Sequence, residues 1–432
     1  MDTPTSTLHW TPAGWQAGAP AGLPDLDEGA LRIVLPGVAN LHSHAFQRAM
    51  SGLTERRGPG PDSFWSWRER MYALAGRFDP DSLRAVAAQL YAEMLEAGYT
   101  AVCEFHYLHH APDGRPYADP AAMSLALIEA ARETGIQLQL LPVLYRRGGF
   151  DGRALSPRQQ RFGHDVEAYL RLLDRLRAEC VDGIDLGVAF HSLRAVDEAD
   201  IRAVLAAVPP HWPIHIHIAE QQAEVDDCLA VHGARPVRWL LDRIGIDRRW
   251  NLVHATHLDA GEVRDIAASA ATVVLCPTTE ANLGDGLFPL RDFLDVGGRI
   301  GIGSDSHASV SLVEELRWLE YGQRLRAQAR NVVAGSAGQS CGETLFRAVV
   351  EGGWQACPGL AGRGHLLLDA QAVELAARVP EDLLDGWLFG SSRPLLREVH
   401  CGGRRWVDGG RHLRRSAIES AYRTALRALL QR

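Results

Sequence analysis

The chain has 432 residues, a formal net charge of −8 and 23% charged side chains. That length exceeds one small domain, and an acidic balance with no basic stripe argues against a nucleic-acid binder. The 46% apolar fraction supplies a sizeable core, yet no apolar run approaches the ~20 residues that a membrane span needs.

The first 35 residues carry Trp10, Trp15 and several Gly and Pro residues, which predicts short strands and turns. MDTPTSTLHW shows no basic stretch leading into an apolar one, so no signal peptide is expected and a cytoplasmic location is. From residue 36 to residue 310, short Val-, Ile- and Leu-rich runs alternate with helical patterns. The runs are VLPGVANLHSH, TAVCEFHYL, QLQLLPVLY, GIDLGVAFHSL, PIHIHIAE, RWNLVHATHL, ATVVLCPTT and RIGIGSDS. Each is bounded by Gly, Pro or Asp, as strands of a buried parallel sheet are.

Between the runs, segments such as DSLRAVAAQLYAEMLEAG (81–98) place apolar residues three or four apart and close on a glycine, the mark of an amphipathic helix. Eight runs alternating with helices predict an α/β fold, a (β/α)8 TIM barrel over residues 36–365. An open doubly wound sheet competes, but no Gly-rich phosphate loop follows the first run. Further on, HLLLDAQAVEL and REVHCGGRRWVDGGRH read as strands, the second a hairpin turning at Gly402 and Gly403. SAIESAYRTALRALLQR reads as a closing amphipathic helix. Residues 1–35 and 366–432 are therefore expected to form a small β-sandwich domain plus a C-terminal helix, because barrel termini lie close together.

The seven cysteines, scattered from Cys103 to Cys401 without a C-x-x-C pair, predict free thiols rather than a disulfide framework or a thiolate metal site. Lysine is absent, so all 45 basic side chains are arginine. That excludes lysine Schiff bases and carboxylated-lysine metal bridges.

In a barrel, chemistry collects at the C-terminal ends of the strands. His42 and His44 end run one at alternate positions, so both can face inward. His217 closes run five with Glu220 just beyond, His254 is late in run six, and Asp305 ends run eight. Tyr107 and His191 fall at the ends of runs two and four. Taken singly, Asp305 can be a helix N-cap and Glu220 the first turn of a helix. Together the residues read as a divalent metal held by His42, His44, His217 and Asp305, with Zn²⁺ suited to them and Fe²⁺ or Mn²⁺ acceptable. Asp305 and Glu220 then move protons and His254 steadies the attacked group, which is metal-assisted hydrolysis. His215 is expected one layer deeper, and His109, His110 and His257 in loops without a direct role.

With these residues in hand, the chain resembles the amidohydrolase superfamily through PGVANLHSH, HIHIAE, LVHATHL and GSDSHAS. The resemblance implies a distorted barrel with a small domain from both termini, and the missing lysine points to the mononuclear deaminases. Within that branch NLHSHAFQRAMSGLTE, SFWSWRERMY, EFHYLHH, AFHSLRAV, HIHIAEQQ and LCPTTEANLGDG resemble the family of formimidoylglutamate deiminases. What that implies is deamination of a small acidic amidine, N-formimidoyl-L-glutamate, by one Zn²⁺ per chain in a homodimer. It also implies metal ligation by His42, His44, His217 and Asp305, catalysis by Glu220, His254 and Asp305, and a substrate pocket of Gln47, Arg68, Tyr107, His191 and Arg194.

Two arginines suit two carboxylates, because a guanidinium offers a planar fork. Arg194 can sit at the rim and Arg68 on an excursion (51–80) that folds over the mouth; a surface Arg68 paired with Glu69 or Glu55 is the alternative. Asn282 and Gly286 are expected to shape the pocket. Two other functions stay open: a deaminase or chlorohydrolase acting on a heterocycle such as guanine, cytosine or a triazine, and a non-catalytic metal-binding scaffold.

Overall fold

Each of the eight apolar runs supplies one position in a closed parallel barrel, seen in a computed structural model that describes residues 7–21, 23, 31–57, 63–360 and 362–431. The strands are β1 (Val38–Ser43), β2 (Tyr99–His106), β3 (Gln137–Leu144), β4 (Ile184–Leu186 and Val188–Phe190), β5 (Ile214–Ile218), β6 (Trp250–His254), β7 (Thr272–Leu275) and β8 (Arg299–Ile302). β8 pairs with β1 and β2 with β3, which closes the ring. Strands β1, β2, β3 and β5 are buried along their whole length, which is why they read as continuous rather than alternating apolar runs.

Run four departs from the expected single strand, because Gly187 interrupts it. A Cβ there would stand 2.6 Å from Leu141 Cδ2 and 2.9 Å from the Pro213 carbonyl oxygen. Only glycine allows the neighbouring backbone so close.

The predicted helix at 81–98 is α2 (Pro80–Ala97), preceded by α1 (Phe64–Ala75). Asp79 caps α2 by accepting from the Ser82 amide at 2.8 Å, and proline at the first position loses no hydrogen bond. Its inner face buries Leu83, Val86, Leu90 and Met94 against the barrel. Each such side chain contributes about 1.5–3 kcal/mol.

A second sheet joins both termini. Its seven strands run in the order Arg411–His412, Arg404–Asp408, Leu396–Cys401, Gly364–Leu368, Arg32–Pro36, Thr7–Thr11 and Gly14–Ala17. Leu396–Cys401 and Arg404–Asp408 make the hairpin, with Gly402 and Gly403 between them. Trp10 meets Phe346 edge-on at 5.0 Å, packing this sheet onto the barrel. The closing helix, Arg415–Leu430, lies along α2. All seven cysteines are free thiols. No helix among the described residues is long and apolar enough to cross a membrane.

At the C-terminal mouth the backbone is strained. Ala219, His254, Ala255, Asp305 and His307 hold positive φ values of 50°, 69°, 47°, 44° and 61°. Non-glycine residues reach that region at a cost of roughly 1–3 kcal/mol, and such residues gather at functional sites.

Candidate active site

Three imidazoles meet at the mouth. His42 Nε2 lies 3.1 Å from His44 Nε2 and 2.9 Å from His217 Nε2. Asp305 Oδ1 stands 3.2 Å from His44 Nε2 and 3.5 Å from His42 Nε2. His42 and His44 project together because they alternate about the end of β1, and His217 faces them from β5. Asn40 ties β1 to the turn after β8, donating to Ser304 Oγ at 2.7 Å and accepting from the Ser304 amide. Beneath His44, the buried Glu104 accepts from Ser43 Oγ at 2.7 Å and from the Ala45 amide at 2.6 Å.

The ring orientations show what these nitrogens are for. His44 Nδ1 is 2.8 Å from the Phe105 carbonyl oxygen, and His217 Nδ1 is 2.8 Å from that of His191. Each Nδ1–H is thereby committed to a carbonyl, leaving both Nε2 atoms as lone pairs aimed at His42. Burial depresses the His42 imidazole to about 3, and it holds His217 well below the usual range, with His42 adding to the effect. Burial alone would raise the Asp305 carboxyl, but the adjoining His42 and His44 rings hold it well below the ordinary value. Neutral imidazoles and an ionised carboxylate converging on one point are the donor set of a divalent cation. His42, His44 and His217 form one compact group of ligand atoms, and His42, His254 and Asp305 form another.

Beside this group lie the acid–base candidates. His254 Nε2 is 3.8 Å from Glu220 Oε1 and 3.7 Å from Asp305 Oδ2, while its Nδ1 is 3.2 Å from Glu280 Oε1. Burial opposes charge on His254, but Glu220, Glu280 and Asp305 raise it to about 10. Burial pushes Glu220 up to about 7, with Asp305 adding to the effect and His254 opposing it.

A cavity opens over these groups and is lined by Gln47, Arg68, Tyr107, His191 and Arg194. The excursion after β1 supplies part of its wall: Phe64, Trp67, Arg68, Met71 and Tyr72 all come from α1. Gln47 Nε2 donates to the Tyr107 hydroxyl oxygen at 2.9 Å. Neither alternative partner takes Arg68: Glu69 pairs with Arg158, and Glu55 accepts from Asn282.

That last bond corrects the reading of Asn282, which is exposed and turned outward to Glu55, while Leu283 lines the cavity in its place. Gly286 also lies outside the lining, against Thr256 and His257. His215 is buried below His217, as expected. His109 and His110 are buried beside His106 and His164 in a separate cluster that does not reach the cavity.

Residue-by-residue reading missed Glu280, Glu224 and Asp285, buried carboxyl groups around Glu220 and His254. Glu224 Oε2 accepts from the Glu220 amide at 3.2 Å. Glu280 and Asp285 both lie in LCPTTEANLGDG, so the signal was present as a motif without a role.

Comparison with known proteins agrees with this geometry. Residues 33–340 match the model of the amidohydrolase family. The chain is 52% identical over 414 residues to formimidoylglutamate deiminase of Pseudomonas aeruginosa, covering 93% of this chain and 91% of that protein. It superposes on a crystal structure of an amidohydrolase from Brucella melitensis with a TM-score of 0.92 and 44% identity, covering 98% of each chain. An atrazine chlorohydrolase from Arthrobacter aurescens, solved in complex with zinc, shares the fold at a TM-score of 0.79 and 19% identity, over 92% of this chain and 89% of that one. A barrel bearing this histidine–aspartate group at its mouth, matched by the family model over most of its length, belongs to the amidohydrolase family.

Proposed function

We infer that the chain hydrolyses N-formimidoyl-L-glutamate to N-formyl-L-glutamate and ammonia, a step of histidine degradation. One observation carries the reading: the cavity holding the histidine group also holds Arg68 and Arg194, neither of which has an ion-pair partner among the described residues. Two free guanidinium forks call for two carboxylates. The 52% identical relative is named for a substrate with that chemistry.

His42, His44, His217 and Asp305 would hold one divalent ion per chain, and zinc fits three neutral imidazoles and a carboxylate best, with iron(II) or manganese(II) accepting the same donors. When bound, that ion supplies Lewis acidity and an activated water. Arg68 and Arg194 clamp the carboxylates, and Gln47, Tyr107 and His191 wall the space that receives the amidine. Asp305 takes the proton of the attacking water. Glu220, raised to about 7, carries a proton near neutral pH and delivers it to the imino nitrogen. His254, charged at that pH, donates toward the oxygen where negative charge develops. The tetrahedral carbon then collapses: its hydroxyl proton returns to Glu220 as the carbonyl forms, the bond to the former imino nitrogen breaks, and the proton held by Asp305 leaves with ammonia. The reading also carries a homodimer and a cytoplasmic location.

The test is ammonia release from N-formimidoyl-L-glutamate beside guanine, cytosine and a triazine. Release from the amidine alone supports the assignment, and release from a heterocycle alone contradicts it.

A further inference from the structure

Arg68 and Arg194 reach the cavity from different parts of the fold, one from α1 and the other from the loop after β4. One aromatic ring, that of Trp65, stands within cation–π range of both. The Arg68 guanidinium carbon lies 4.4 Å from the centre of the Trp65 ring, and that of Arg194 lies 5.9 Å from the same centre. Both distances fall inside the ~6 Å range of cation–π attraction. Trp65, Arg68 and Tyr72 are spaced three and four apart, so they share one face of α1. Tyr72 flanks Arg68 on its other side, with its ring centre 5.5 Å from the guanidinium carbon. Trp65 itself does not line the cavity.

Two like charges facing one small cavity repel each other, and although the buried Glu224 and Glu220 attract Arg194, neither arginine has a carboxylate within ion-pair distance among the described residues. In each of them Nε is buried without a hydrogen-bond partner. The negative face of the Trp65 indole ring attracts both cations. We propose that Trp65 is a positioning residue that fixes the spacing and orientation of Arg68 and Arg194, and through them the preference for a substrate with two carboxylates. This rests on the dicarboxylate reading above. The ring lowers the repulsion between the arginines before substrate arrives. It also limits their rotamers, so less conformational freedom is lost when both forks close on carboxylates.

The experiment compares Trp65→Leu and Trp65→Phe with the unaltered enzyme on N-formimidoyl-L-glutamate and on N-formimidoyl-4-aminobutyrate, which lacks the α-carboxylate. Trp65→Leu is expected to raise KM for the glutamate derivative by about threefold to thirtyfold with kcat within about twofold. KM for the monocarboxylate should move far less, so discrimination between the two narrows. Trp65→Phe keeps an aromatic face and should restore most of the discrimination, which a loss of packing alone would not single out.

Unchanged KM in Trp65→Leu overturns the proposal, as does an equal loss of kcat on both substrates or a Trp65→Phe enzyme as impaired as Trp65→Leu. If the unaltered enzyme turns over neither amidine, the dicarboxylate reading itself fails. Turnover by the unaltered enzyme with no effect of Trp65 overturns the role of the indole and leaves the dicarboxylate reading standing.

Discussion

His254 Nδ1 stands 3.2 Å from Glu280 Oε1, and Glu280 is itself held by the Cys276 amide at 2.8 Å. The carboxylate therefore sets which ring nitrogen faces the cavity and helps keep the imidazole charged, at about 10. Glu280→Gln keeps the shape and removes the charge. A fall in kcat of about tenfold to a hundredfold is expected, with KM little changed, as for groups that orient a functional histidine. The titration of the imidazole itself should also move down from about 10, because the imidazolium loses one stabilising carboxylate. Steady-state kinetics checks the first effect and an NMR titration of the imidazole the second.

Glu220 makes activity depend on pH in a stated direction. Burial raises its carboxyl to about 7, so it is mostly protonated below that pH and mostly ionised above it. With Glu220 as the proposed proton donor, kcat/KM should fall as pH rises through about 7, approaching tenfold per unit beyond. Glu220→Gln should remove that titration and cost about 10²–10⁴ in rate. A profile flat from about pH 6 to about pH 8 in the unaltered enzyme contradicts the role.

Gly303 sets how close β8 comes to the first histidine. A Cβ at this position would lie 2.7 Å from His42 Cβ and 2.8 Å from the His42 carbonyl oxygen. That same oxygen accepts from the Ser304 and Asp305 amides at 3.1 and 3.0 Å. Gly303→Ala must push His42 away from Asp305. A stability loss of about 1–3 kcal/mol is expected, together with weaker metal retention. Denaturant unfolding and metal content of the purified protein measure the two.

Arg194 should bind without reacting. Arg194→Ala is expected to raise KM for N-formimidoyl-L-glutamate by about tenfold or more, the scale of a lost charged hydrogen bond. Its kcat should fall much less. Steady-state kinetics with intact and α-decarboxylated substrate locates the affected carboxylate.

Much of the barrel was legible because strands buried on both faces must be apolar throughout. His42, His44, His217, His254 and Asp305 could be gathered from strand ends because the closed sheet brings those ends to one mouth. The break in run four was not legible, since the need for Gly187 comes from Leu141 and Pro213 on neighbouring strands. Arg68 could be placed on the excursion after run one, but choosing between Glu69 and the cavity required knowing that Arg158 takes Glu69. Glu280 carries no spacing signal of its own, because its meaning comes from His254 at the end of β6. Asn282 was misread because it lies on a short helix, Pro277–Leu283, that turns the amide out to Glu55 while Leu283 faces in.

The most direct measurement is ammonia release from N-formimidoyl-L-glutamate by chelator-stripped protein as a divalent metal is added back. Activity should vanish on stripping and return in proportion to metal, reaching its plateau near one ion per chain. Full turnover by protein verified to be free of metal would contradict the convergence of His42, His44, His217 and Asp305 on a catalytic cation.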